Sequence, residues 1–341
     1  MYAIVAQLVE RDLAKVEATG SNPVNRSIFL KKMKIFHIFI ILLSFSHLFA
    51  EECSHSKWGK GDEIGNANLI TAESVLKASK LITEGKTYSL GITIDKDTPA
   101  YPPRTMSLQV VQPLQQFGNQ ALPNATYNDD IFQGWFGIGS QIDGLGHVGS
   151  KDGVFYNCFD GKEIAPITGL KKLGIEKIPP LVARGILIDM PKLLGIDFMK
   201  GGQSISVDQL KKALNNQSIE IQKGDVVLFH TGWTDAKLVS NPEEWGGNIP
   251  GISPEVAKFL ARKDVLAVGA DTYGLDVQPP VDPNDIHSGH TVLLKENGIY
   301  ILENMNTGPL ARDEAYKFLF ILGQAKVRGA VQMIINPIAI R

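Results

Sequence analysis

The densest run of chemistry-bearing residues in the chain is Gly137-Ile138-Gly139-Ser140-Gln141-Ile142-Asp143-Gly144-Leu145-Gly146-His147. Gln141 and Asp143 lie two apart, so in an extended chain both side chains leave the same face. His147 follows a Gly-flanked turn that can swing its ring back toward them. A carboxylate, an imidazole and an amide oxygen together make a set that binds a divalent cation. Taken alone, Asp-x-x-x-His in a Gly-rich stretch fits a hydrogen-bonded turn at least as well. A second cluster is His287-Ser288-Gly289-His290, followed by Glu303. Glu303 closes the apolar run Ile299-Tyr300-Ile301-Leu302, where a carboxylate is costly unless a cation or donors meet it. A structural ion pair would serve it equally.

These residues need elements to hold them. Ala183–Met190, Asp225–His230, Val265–Gly269, Gly298–Glu303 and Val331–Pro337 are short apolar runs that read as buried strands, and Thr87–Ile94 alternates like a half-buried one. Between them stand helical segments with N-terminal signals. Thr71 caps a helix to about Leu81, with Ser74 at the box position, and Ser206 caps one to Leu214. Pro254 opens a third at its first position, running to about Arg262. Asp313-Glu314-Ala315 is expected to lead a fourth, to about Leu322. Asp97–Asn128 carries five prolines and is expected to be mostly loop, covering a pocket. Strands alternating with helices argue for an α/β fold with a sheet covered on both faces. There is no internal repeat or long linker, so one domain is expected from about Glu51 to Arg341.

Composition excludes several functions. The 341 residues are 44% hydrophobic and 21% charged, with a net charge of −2. No strong field draws such a chain to nucleic acid or an anionic membrane, and no basic run carries interleaved aromatics. A P-loop, HExxH and GxSxG are all absent from the sequence. Lys31, Lys32 and Lys34 precede an apolar stretch that ends at Ala50, ahead of Glu51-Glu52. That is the layout of a secretory signal peptide over residues 33–50, cleaved near Ala50, leaving no membrane span and an exported product. Residues 1–32 resemble the conceptual translation of a transfer-RNA gene, and Met33 is the expected start. The mature part would hold only Cys53 and Cys158, which could form one disulfide after export.

From Trp58 to Ile340 the chain resembles the cyclase family, which includes bacterial kynurenine formamidase and isatin hydrolase. The resemblance rests on a set of stretches rather than on one motif. They are Trp58-Gly59-x-x-Asp62-Glu63-Ile64-Gly65, Asn68-Leu69-Ile70-Thr71, Gly224–Leu228 with Thr231-Gly232-Trp233, Pro250-Gly251-Ile252, Gly269-Ala270-Asp271-Thr272, His290 to Glu303, and Asn336–Ala339. The resemblance implies a mixed, barrel-like central β-sheet flanked by helices, of the swivelling β/β/α type. It implies a metal-dependent hydrolase that opens a formamide or cyclic amide bond of a small substrate, and a homodimer or homotetramer.

The family's metal motif, H-x-G-T-H-x-D-x-x-x-H, places its first His on Gly137, its second on Gln141, its Asp on Asp143 and its last His on His147. Its later His and Glu fall on His290 and Glu303. Two imidazoles are therefore replaced. The expected cofactor is one Mn or Zn ion held by Asp143 and Glu303 with help from Gln141. His147 or His290 would then serve as general base. Tyr101, Phe132, Trp135 and Phe136 are expected to shape the substrate pocket, with core packing the competing role for these aromatics. His230 is expected to be a satisfied core histidine. The altered motif also leaves room for a non-catalytic small-molecule-binding protein on the same fold.

Overall fold

The computed structural model describes residues 53–111 and 128–341. The expected signal peptide and the segment before Met33 lie outside the described residues. Thirteen strands follow along the chain: β1 (Thr87–Ser89), β2 (Met106–Val111), β3 (Asp129–Gly134), β4 (Gln141–Asp143), β5 (Leu181–Asp189), β6 (Ser204–Ile205), β7 (Val226–His230), β8 (Gly251–Ile252), β9 (Ala267–Ala270), β10 (Tyr300–Glu303), β11 (Lys317–Leu322), β12 (Gln332–Ile334) and β13 (Ile338–Ile340). Nine of them form one curled half-barrel sheet in the order β1-β13-β11-β5-β7-β9-β10-β4-β12. The central strands β5, β7, β9 and β10 run parallel. Antiparallel partners flank them, β11 beside β5 and β4 beside β10. This is the mixed, barrel-like α/β fold expected from the sequence.

The parallel strands are mostly apolar and buried. Val226, Val227, Leu228 and Phe229 of β7 and Leu266, Ala267 and Val268 at β9 have no exposed surface. Helices cover them. Val207–Asn216 is capped by Ser206, whose side chain accepts from Gln209 N while the Gln209 side chain accepts from Ser206 N. Pro254–Ala261 begins with Pro254 at a position whose N–H has no helical partner anyway. Ala72–Ser79 has the Thr71–Ser74 box in place. Polar residues fall at the carboxyl ends of the parallel strands, among them His230 and Glu303, which is where open α/β sheets build ligand sites.

Three segments differ from expectation. Asp313–Leu322 is no helix. Glu314 has φ 50°, which interrupts a right-handed helix at its first turn, and Lys317–Leu322 instead pairs with six residues of β5. Phe318 and Phe320 are thereby fully buried, a gain that outweighs the weak helix-start signal. Within the supposed loop 97–128, Met106–Val111 is a strand that pairs with β3 over six residues. The strand expected over Thr87–Ile94 pairs only as far as Ser89, after which Asn336 Oδ1 accepts the Gly91 N–H. Both cysteines of the chain are disulfide-bonded.

Candidate functional site

Sheet register brings the two sequence clusters together. In β4 and β10, Gln141 stands opposite Glu303, and Gln332 of β12 stands opposite Asp143. Residues opposite each other in an antiparallel pair point to the same side of the sheet, so four polar side chains share one face. Gln141 Nε2 donates to Glu303 Oε2 at 2.7 Å and lies 3.3 Å from Asp143 Oδ1. Gln332 Nε2 donates to the same Asp143 oxygen at 2.6 Å. All four are buried, and Asp143 is fully so.

His290 closes this group from the other side. It ends the short helix Ser288–His290 and is buried. Its Nε2 lies 3.2 Å from Glu303 Oε1 and 3.7 Å from Asp143 Oδ2, and its Nδ1 lies 2.8 Å from Asp276 Oδ2. Asp276 also accepts the His290 backbone N–H. A carboxylate on one imidazole nitrogen fixes which nitrogen faces the site. Gly289 makes that contact feasible, because a Cβ there would lie 1.8 Å from Asp276 Oδ1. Gly289→Ala is therefore expected to push Asp276 off His290 and weaken divalent-metal binding about 10–100-fold, as loss of an outer-shell partner does, which metal titration would read.

The donor set fits a divalent cation. Asp143, His290 and Glu303 each bring one ligand atom within 4.8 Å of the others. Among the described residues Asp143 Oδ2 and Gln141 Oε1 are buried without a hydrogen-bond partner. Nine other buried side-chain polar atoms share that lack, but these two belong to the residues grouped here, where a bound ion would satisfy them. As oriented, Gln141 links the two carboxylates through its amide N–H groups. Turning the amide over would bring its oxygen to the same point.

Above the carboxylates opens a cleft of about 240 Å³ lined by Tyr101, Arg104, His147, Tyr273, His287, His290 and Glu303. Of the four aromatics expected to shape a pocket, only Tyr101 lines it. Phe132 and Trp135 lie exposed on and beside the β2–β3 hairpin, and Phe136 packs against the main core.

A sequence-family model described as "Putative cyclase" matches residues 88–277, more than half of the chain. The chain belongs to the cyclase family. Solved structures agree. One titled as a novel cyclase superposes with a TM-score of 0.75 at 28% identity, covering 84% of this chain and 98% of its own. Isatin hydrolase A from Labrenzia aggregata, bound to benzyl benzoate, gives a TM-score of 0.56 at 16% identity over 77% of this chain and 94% of its own. Isatin hydrolase A from Ralstonia solanacearum gives 0.55 at 18%, over 80% and 98%. These two share the fold. No curated protein sequence matches.

The cyclase chain's ionisable groups are strongly perturbed. Burial pushes the Glu303 carboxyl up to about 7, with the Asp143 charge adding to it and His290 opposing. For His290, burial disfavours the charged ring, but hydrogen bonds to Asp276 and Glu303 outweigh it and hold the ring well above 6.5. His147 and His287 move the other way. Burial lowers both, and the His290 charge lowers them further. His147 makes no side-chain hydrogen bond among the described residues, so its ring stands neutral at the cleft wall. His230 lies apart from this group, buried with Nδ1 2.8 Å from Thr307 Oγ1, as a satisfied core histidine should. Sequence reasoning assigned no role to Arg104, Asp276 or Gln332, and none to His287 beyond its place in the second cluster. For Asp276 the available signal was a charged residue inside the turn-rich Gly274–Pro280, ahead of a histidine pair.

Proposed function

We propose that this cyclase-family chain is a metal-dependent hydrolase that opens the C–N bond of a small amide, a formamide or cyclic amide carrying an aromatic ring. The observation that carries the reading is the buried Asp143–His290–Glu303 group with the partnerless Asp143 oxygen at its centre. Asp143, Glu303 and His290 Nε2 would hold one Mn or Zn ion, with Gln141 assisting by its amide oxygen. Such an ion polarises a carbonyl and makes a nearby water more acidic. Asp276 keeps the His290 proton on Nδ1. That engages both His290 nitrogens and leaves His147 as the general base. His147 accepts a proton from the attacking water as its oxygen bonds to the carbonyl carbon. It then returns that proton to the nitrogen as the C–N bond breaks, releasing an amine and a carboxylate. Tyr101 and Tyr273, a tilted pair with ring centroids 6.4 Å apart, would form one aromatic wall for the substrate ring.

Metal analysis of the purified protein tests this. About one Mn or Zn per chain, with turnover of N-formyl aryl amines or lactams, is the expected result. No metal even after incubation with both ions would favour the second reading, a binding protein, for which the replaced imidazoles at Gly137 and Gln141 argue. Export of the chain and a homodimeric or homotetrameric state belong to the same proposal.

Metal affinity is expected to fall as pH drops through about 7. Glu303 titrates there and His290 higher than a free imidazole, and both must lose their protons to act as ligands. Stability of the metal-free protein should run the opposite way. A folded-state pKa raised from 4.5 to about 7 gives stability that is present below about 4.5 and lost by about pH 7. The raised His290 acts in the same sense. Thermal melts of metal-free protein should therefore fall between pH 5 and 8, and the increment from added Mn²⁺ should grow over that range.

A further inference from the structure

Gly137 stands where the family's metal motif has its first histidine, and its surroundings are already filled. A Cβ built there would lie 2.6 Å from Arg104 Nη1, 2.8 Å from Arg104 Cζ and 2.6 Å from Gln332 Oε1. The volume next to Gly137 is thus occupied by the guanidinium of Arg104 and the amide of Gln332. Arg104 Nη1 donates to the Gly137 carbonyl at 2.8 Å, which anchors the group. That bond is feasible at this distance because residue 137 has no side chain.

Among the described residues the rest of the guanidinium has no hydrogen-bond partner. Arg104 is half-buried and lines the cleft beside His147, His290 and Glu303. Among the described residues it forms no ion pair, although Asp143 and Glu303 belong to the same site. A guanidinium offers five N–H donors in a planar fork, and one of them is used here. An arginine that packs into a site beside two carboxylates commonly pairs with one of them. This one faces open cleft, whose lining also includes Tyr101 and Tyr273. Its charge also reaches the site, since it helps to lower His147 and His287.

We propose that Arg104 is a specificity-determining residue that binds a carboxylate on the ligand, so that the cleft takes small aromatic carboxylates. Resting on the hydrolase reading, this names the substrate class as an aromatic amide bearing a carboxylate group. The fork matches two carboxylate oxygens at once, which a lysine cannot reproduce. The position vacated by a metal-binding histidine thereby holds a fixed cation for the ligand.

The test uses metal-stripped full-length protein, with benzoate and its uncharged isostere benzamide titrated by calorimetry. Benzoate is expected to bind at least tenfold more tightly than benzamide. Arg104→Gln should lose tenfold or more in benzoate affinity with benzamide unchanged, and Arg104→Lys should fall between. Gly137→Ala meets only flexible side-chain ends, so it should fold and still weaken benzoate binding by displacing Arg104. It decides the matter if Arg104→Gln does not fold. Equal binding of the two probes by the unmutated protein, or benzoate binding unchanged in both Arg104→Gln and Gly137→Ala, would overturn the proposal. Metal content measured on the same preparations reads the hydrolase proposal separately: Arg104-dependent benzoate binding by a protein that takes up no metal would overturn that reading alone.

Discussion

Asp143→Asn is expected to abolish divalent-metal binding while leaving the fold intact. Asp143 is fully buried, and while its Oδ1 accepts from Gln332, its Oδ2 has no hydrogen-bond partner among the described residues and faces only the His290 ring, 3.7 Å away. Asparagine keeps the shape, and its oxygen can still accept from Gln332 Nε2. What is lost is the charge between Glu303 and His290. Removing an inner ligand should exceed the roughly 10–100-fold that outer partners are worth, so metal content should fall below detection after dialysis. The metal-free variant should be as stable as the parent at neutral pH, or more so, because Asp143 is one of the two causes that raise Glu303. Full metal occupancy in Asp143→Asn would remove this residue from the ligand set. Parallel loss of metal and of the cooperative thermal transition would show instead that the carboxylate holds β4 in place.

Much of this arrangement was legible in the sequence, for identifiable reasons. Glu303 ends an apolar run, so pattern alone placed it on a strand, and the two-residue spacing put Gln141 and Asp143 on one face provided the chain is extended there, as β4 is. The parallel strands were equally clear, because wholly apolar runs such as Val226–Phe229 have no other stable place. Asp313–Leu322 misled because its acidic start imitates a helix N-terminus, while the pairing of Lys317–Leu322 with β5 depends on residues more than a hundred positions away. Asp276, Gln332 and Arg104 were missed for the same reason. They reach the site from a turn, from a strand far along the chain and from the residue after Pro102-Pro103, and no local period marks them. Gly137 was the one usable hint for Arg104. A missing side chain in a buried site leaves volume that some other group must fill.

His147→Gln should then separate metal binding from chemistry. The His147 ring lines the cleft, makes no side-chain hydrogen bond among the described residues, and is kept neutral near pH 7 by burial and by the His290 charge. A neutral imidazole with an open nitrogen is what a general base requires, and His290 does not meet that condition with both nitrogens against carboxylates. Gln is similar in size and polarity and cannot exchange a proton at neutral pH. Turnover of N-formyl aryl amines or lactams is expected to drop about 10²–10⁴-fold, the usual range for a lost general base, with metal content and melting temperature unchanged. The pH dependence sharpens the assignment. In the parent, kcat should rise across an apparent pKa below 6.5, as the ring loses its proton. In His147→Gln that limb should vanish. A variant that keeps the limb while losing rate would shift the base to His287, the other cleft imidazole that burial holds neutral.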